Sequence, residues 1–162
     1  DNLEAQGARK YWTMLFGENF RRDQSEASLN ALLNYGYTVL RACTARAVIA
    51  AGLHPTLSLF HSNAGNAMRL VDDLMEPFRP MMDLKVWQLL QHGETEVTPE
   101  SKRALVHVLS DDMQTSTGAT PVMVCTQKLA TSLAQVYLGE RDKLELPLQG
   151  LPLDMASSFS EE

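Results

Sequence analysis

Residues 28–51, SLNALLNYGYTVLRACTARAVIAA, decide the fold. Leu29, Leu33, Gly36, Leu40, Cys43, Ala47 and Ala50 recur at alternating steps of four and three. With about 3.6 residues per turn, a helix gathers such positions into one continuous seam. The seam becomes small toward its end, at Cys43, Ala47 and Ala50, so another helix can approach closely there. The spacing predicts a long central helix, mostly buried, with the rest of the chain packed around it. Arg41 and Arg46 lie off the seam, facing either a site or solvent. Gly52 supplies the stop, because glycine tolerates the left-handed conformation that ends a helix.

Before this helix, residues 2–16 read as another. Asn2 caps it, and Ala5, Ala8, Trp12 and Leu15 or Phe16 share a face. Glu4 falls in its first turn, where the helix dipole favours a carboxylate on structural grounds alone. Gly17 ends it. Residues 18–27 are polar and carry Phe20-Arg21-Arg22-Asp23, a surface loop suited to solvent or to phosphate contacts.

After the central helix, Leu53–His61 is a connector stiffened by Pro55, followed by the loop-like segment Ser62–Asn66. Leu70, Val71, Leu74, Met75 and Phe78 then mark a helix with one buried face. Pro77 removes the backbone bond to the carbonyl of Asp73, which predicts a kink or break beside the carboxylates. Arg79 is placed to pair with Glu76 or Asp83, or to touch a phosphate. Val86–Leu90 continue helically to Gly93. Thr98-Pro99-Glu100 is a helix start, with a capping hydroxyl, proline at the first position and an acid beside it. Ala104, Leu105, Val108, Leu109 and Met113 form its apolar face, and Ser116-Thr117-Gly118 breaks it. A last helix is expected from about Pro121 to Leu138, with Val122, Cys125, Leu129, Leu133, Val136 and Tyr137 as its stripe, ended by Gly139. The expected fold is all-α: a multi-helix bundle around a long central helix, over residues 1–142. Residues 143–162, beginning LELPLQGLPLD at Leu144, are expected to form an extended arm, partly disordered, whose leucines dock on the domain or on a partner.

The 162 residues, 44% hydrophobic and 21% charged, fit one folded domain with a real core. No run of eighteen apolar residues exists to span a membrane. Cys43 and Cys125 lie far apart in helical patterns and read as buried free thiols, in keeping with a reducing cytoplasm. The chain starts at Asp1, almost directly in a helix, and reads as a fragment whose N-terminal part is missing. The net charge of −6 argues mildly against non-specific nucleic-acid binding. The charge is uneven: residues 1–50 hold six basic and five acidic side chains, against three and seven in residues 51–100 and five and eight in residues 101–162. The basic concentration is Arg9, Lys10, Arg21, Arg22, Arg41 and Arg46.

The chemistry concentrates in residues 52–80. On a helix, Asp73 and Glu76, three apart, and Asp72 and Glu76, four apart, are neighbours. Carboxylates so placed repel unless something positive sits between them. A divalent cation is one answer and an arginine is another. His54 and His107 read as surface or packing histidines.

Four segments, in order, carry a family resemblance: NLEAQGARKYW at 2–12, LNALLNYGYTVLRA at 29–42, LHPTLSLFHSN at 53–63 and DDLMEPFRP at 72–80. Together they resemble the C-terminal part of the CRISPR-associated spacer-acquisition integrase, in the form found in type II systems. The resemblance covers roughly residues 1–153. It implies that Glu4, His61 and Glu76 are metal ligands between helices and the catalytic set, with Asp73 orienting them or replacing one. Two carboxylates and an imidazole suit Mg²⁺ or Mn²⁺, with the histidine favouring manganese. Arg22, Arg41 and Arg79 become candidate DNA contacts. The family usually has glycine where Ser58 stands, so the backbone before His61 is expected to shift slightly. The resemblance further implies insertion of spacer DNA into the CRISPR array by 3′-hydroxyl attack on a phosphodiester. It also implies a β-rich N-terminal domain that this chain lacks, a homodimer of the full-length protein, a small partner protein bridging two dimers into a heterohexamer, and a prokaryotic cytoplasmic location.

Two other readings of the residues stay open. A non-enzymatic helical interaction module would use the acidic clusters only as a solvated face. A helical phosphohydrolase acting on small molecules would show a histidine close to an aspartate, whereas the adjacent pair here is Asp72-Asp73.

Overall fold

A single long helix runs through the centre of the molecule. The computed structural model describes residues 3–23, 29–59 and 65–148, without the side chains of residues 4 and 5. Helix α2 (Leu29–Ala50) is packed on by α3 (Arg69–Met75), α4 (Arg79–Gln91), α5 (Pro99–His107) and α6 (Val122–Tyr137). Helix α1 (Leu3–Phe16) lies at the edge. The fold is mostly helical, and the expected bundle around a central helix is what forms.

The seam on α2 is real but wider than its heptad spacing. Leu33, Gly36, Leu40, Cys43 and Ala47 are buried, and so are Leu32, Thr44 and Val48 beside them. A helix surrounded by four others buries more than one stripe. Its small end admits α6 as expected: Cys43 Sγ lies 3.5 Å from Thr126 Oγ1. Gly36 lies where α4 and α5 meet α2, against Met82 and Leu105. Both cysteines are buried and free.

Several expectations need correction. The segment around Ser116-Thr117-Gly118 is a hairpin rather than a helix break. Strands β1 (Asp112–Thr115) and β2 (Gly118–Pro121) pair antiparallel, with Asp112 opposite Pro121 and Thr115 opposite Gly118. Gly118 closes the two-residue turn at φ 102°, and Thr115 Oγ1 donates to the Gly118 carbonyl at 2.9 Å. Met113 is fully buried, but from β1 and not from a helix face. Ala8 and Ala50 are exposed. Tyr137 is 60% exposed because the last turn of α6 projects past the buried part.

The start of α5 forms as read. Thr98 accepts from the Ser101 amide at 3.1 Å and Ser101 Oγ accepts from the Thr98 amide at 2.8 Å, a complete capping box. The described part of the C-terminal arm docks by polar contacts and not by its leucines. The Glu145 amide donates to Ser132 Oγ and the Leu148 amide to the Gln114 carbonyl, both at 2.8 Å. Leu144, Leu146 and Leu148 stay exposed. The remainder of the arm, residues 149–162, lies outside the described residues. No helix among the described residues is long and apolar enough to cross a membrane.

Candidate functional site

Pro77 shapes the site. Helix α3 stops at Met75, residues Glu76–Phe78 form a 3-10 turn, and α4 starts at Arg79. The turn buries Phe78 completely and leaves Glu76 at the surface, its side chain 44% exposed. Beside it opens a cleft of about 520 Å³, lined among others by Arg22, Tyr37, Arg41, Asp72, Glu76 and Arg79.

Arginines separate the neighbouring carboxylates. Arg79 Nη1 lies 3.0 Å from Glu76 Oε1. Arg41 grips Asp72 with two bonds, Nε to Oδ1 at 2.6 Å and Nη2 to Oδ2 at 3.0 Å. A fork-to-fork pair of this kind fixes direction as well as distance. Burial by itself would raise the Asp72 carboxyl. The hydrogen bonds from Arg41 and Asn66, with the Arg41 charge, outweigh it and hold the group below its ordinary value. Arg46, the other off-seam arginine of α2, is exposed.

The two adjacent aspartates of α3 anchor both flanks of residues 60–64. On one side, the Leu59 amide donates to Asp73 Oδ2 at 2.7 Å. On the other, Asn66 Nδ2 donates to Asp72 Oδ2 at 2.6 Å, while Asn66 Oδ1 accepts from the Met68 amide at 2.9 Å and from Arg41 at 3.2 Å. Leu59 and Asn66, on either side of residues 60–64, thus both bond the helix that leads to Glu76.

Arg22 comes from the loop after α1. It donates to Asn30 Oδ1 at 2.9 Å and to Asn34 Oδ1 at 2.6 Å. Buried Asn30 also bonds the Arg21 carbonyl and the Asp23 amide, each at 3.0 Å, so this loop is tied to α2. The guanidinium carbons of Arg22 and Arg79 lie over the Tyr37 ring, 5.4 and 5.0 Å from its centroid. The Tyr37 hydroxyl donates to Asp83 at 2.5 Å, and the Tyr11 hydroxyl donates to the other oxygen at 2.7 Å. Burial pushes the Asp83 carboxyl up, and the two tyrosine hydrogen bonds offset part of that. Both phenols are pushed above their ordinary value, by burial first and then by the Asp83 charge.

The structure therefore gathers Arg22, Arg41, Arg79 and Glu76 around one cleft, while Asp73 accepts from the Leu59 amide and does not line it. The backbone of Glu4 lies in the first turn of α1, while its side chain and all of His61 lie outside the described residues. Among the described residues, no three histidine, cysteine or acidic side chains come together as a metal group. His54 is exposed and bonds Thr56. His107, 74% exposed, does have an acidic neighbour one turn on, Asp111 at 3.2 Å.

Sequence reasoning missed Tyr37, Asn34, Asn66 and the Tyr11–Asp83 pair. A signal existed for Asp83, one turn after Arg79, but it pointed to an ion pair; the observed partners of Asp83 are tyrosines from distant helices. Asn34 and Tyr37 left a weaker one, as positions seven and four residues before Arg41 on the same stretch of the central helix.

The model of the family described as CRISPR associated protein Cas1 matches residues 2–115. A CRISPR-associated endonuclease Cas1 from Neisseria meningitidis serogroup C (strain 8013) is 39% identical over 155 residues, covering 94% of this chain and 50% of that protein. A CRISPR-associated endonuclease Cas1 2 from Pyrobaculum aerophilum is 35% identical over 96 residues, covering 57% and 32%. The chain thus spans half the length, or less, of these relatives. Among solved structures, a casposase bound to integration product superposes with a TM-score of 0.74 at 24% identity, over 88% of this chain and 49% of that one. At that identity the likeness concerns the fold.

Proposed function

The chain belongs to the CRISPR-associated Cas1 family, and from that premise we propose that its helical part, residues 1–142, is the catalytic domain of a CRISPR adaptation integrase. In this reading the whole protein is a metal-dependent DNA endonuclease and strand transferase. It inserts spacer DNA by attack of a 3′-hydroxyl on a phosphodiester.

One observation carries the reading: Leu59 and Asn66, which flank the stretch holding His61, both bond the adjacent aspartates that lead into Glu76. A histidine and a carboxylate far apart in a chain need such anchoring to act on one ion. Glu76 is accessible at the mouth of the cleft. Glu4, His61 and Glu76 together would offer two carboxylates and an imidazole, a donor set that fits Mg²⁺ or Mn²⁺. When bound, such an ion supplies Lewis-acid stabilisation at the phosphodiester and lowers the pKa of an attacking hydroxyl or water.

The chain's own residues supply the rest. Asp73 and Asp72 bond Leu59 and Asn66, the residues on either side of the ligand-bearing segment. Arg22, Arg41 and Arg79 present guanidinium donors along the cleft, suited to non-esterified phosphate oxygens. The overall negative charge does not oppose this, because phosphate contacts depend on the local field. DNA is the substrate in this account, and the full-length protein is expected to dimerise and to join a small adaptation partner.

The test is strand transfer on branched DNA by the full-length protein in Mn²⁺. Glu4→Ala, His61→Ala and Glu76→Ala are each expected to abolish transfer while circular dichroism stays native. Wild-type activity in any one of them would remove that residue from the ligand set. Metal-independent transfer would overturn the reading.

A further inference from the structure

Helix α1 is attached by one edge. Gln6–Lys10, Thr13 and Met14 are exposed. Trp12, Phe16 and Phe20 form an aromatic cluster that packs against the core, with Trp12 and Phe16 stacked at 5.9 Å. A polar anchor complements them: Tyr11 donates to Asp83, which is 2% exposed on α4. Tyr37 of α2 donates to the same carboxylate. Three helices thus meet on one buried carboxyl group. Burying a carboxylate costs stability unless hydrogen bonds satisfy it, and an apolar residue of similar volume would fill the space at lower cost. The arrangement therefore suits control of geometry more than gain of stability.

Both ends of the network lead to the cleft. The Tyr37 ring, oriented by its bond to Asp83, is the surface over which Arg22 and Arg79 lie. Position 4 falls seven residues before Tyr11, about two helical turns earlier on the same face of α1. Motion of α1 about this anchor moves that position relative to the cleft.

We propose that Asp83 is a positioning residue for the cleft: through Tyr11 it seats α1, and through Tyr37 it sets the aromatic platform that aligns Arg22 and Arg79. The arginine half of the proposal rests on the reading of the cleft as a DNA site. The α1 half stands on geometry alone.

The full-length protein with Tyr11→Phe and Tyr37→Phe tests both halves, because each variant deletes one hydroxyl and keeps its ring. In Tyr11→Phe, amide hydrogen exchange along α1 is expected to rise at least tenfold, with α2 and α6 within twofold of the parent. Unchanged exchange in α1 would overturn the seating role. So would an equal rise in every helix, which marks general loosening of the core. In Tyr37→Phe, binding of a fluorescent branched DNA is expected to weaken three- to tenfold, and the slope of log K against log salt to fall by about one. Parental affinity and slope would overturn the platform role. If the parent itself fails to bind branched DNA, the reading of the cleft falls and the platform role with it, while hydrogen exchange still decides the hold of Asp83 on α1.

Discussion

Gly36 sits at the crossing of α2 with α4 and α5, and the space around it gives substitutions of opposite sign. A Cβ built there would lie 3.4 Å from Leu105 Cδ2, 3.5 Å from Met82 Sδ and 3.6 Å from Met82 Cβ. Those lie at the short end of ordinary van der Waals separations, so alanine fits with little movement of its neighbours. Alanine is favoured over glycine inside a helix by about 1 kcal/mol, and burying one more methyl adds up to about 0.8 kcal/mol. Some of this is lost to the closeness of Leu105. Gly36→Ala should therefore stabilise the chain by about 1 kcal/mol. Leucine would push three further carbons into Met82 and Leu105, and overpacking of this kind costs about 1–3 kcal/mol. For a chain of this length each kcal/mol moves Tm by roughly 2–4 °C. Thermal melting by circular dichroism should show Gly36→Ala a few degrees above the parent and Gly36→Leu clearly below it. A lower melting point for the alanine variant, or an unchanged one for leucine, would refute this account of the crossing.

Other outcomes follow from the same contacts. Asp72 has a lowered folded pKa, so its contribution is present above the ordinary value of 3.8 and is lost as pH falls through the folded value. Asp72→Asn should cost about 1 kcal/mol at pH 7, and denaturant titrations should show the difference closing below about pH 4; a gap that widens there would contradict the sign. Thr98→Ala removes the cap of α5 and should cost about 1 kcal/mol. Thr98→Ser should restore most of it in the same melting assay, and equal losses for both would mean that the hydroxyl is not the capping group.

The frame of the fold was legible because its signals are strong and local. The four-three spacing along α2, the proline at Glu76-Pro77-Phe78 and the Thr98-Pro99 start each appear where the residues require them. The hairpin was not legible. Strands of four residues, DMQT and GATP, are too short for a period-two pattern, and the burial of Met113 and Thr120 comes from tertiary placement. The wide buried face of α2 likewise reflects four neighbours that no single-helix pattern reveals. At the site, the arginines were visible as charges but their grouping was not. Arg22 reaches Asn34 across a loop, and Arg41 reaches Asp72 from another helix. The Tyr11–Asp83–Tyr37 junction joins residues 72 and 46 positions apart, a separation at which spacing carries no information.

The claim that organises the site is that Glu76, with His61 and Glu4, holds one divalent ion at the cleft. Electron paramagnetic resonance of Mn²⁺ titrated into the full-length protein measures this directly. The account predicts one saturable site per chain in the parent, lost in Glu76→Ala and retained in Arg46→Ala, an exposed residue that does not line the cleft. Full Mn²⁺ occupancy in Glu76→Ala, or no saturable site in the parent, would contradict it.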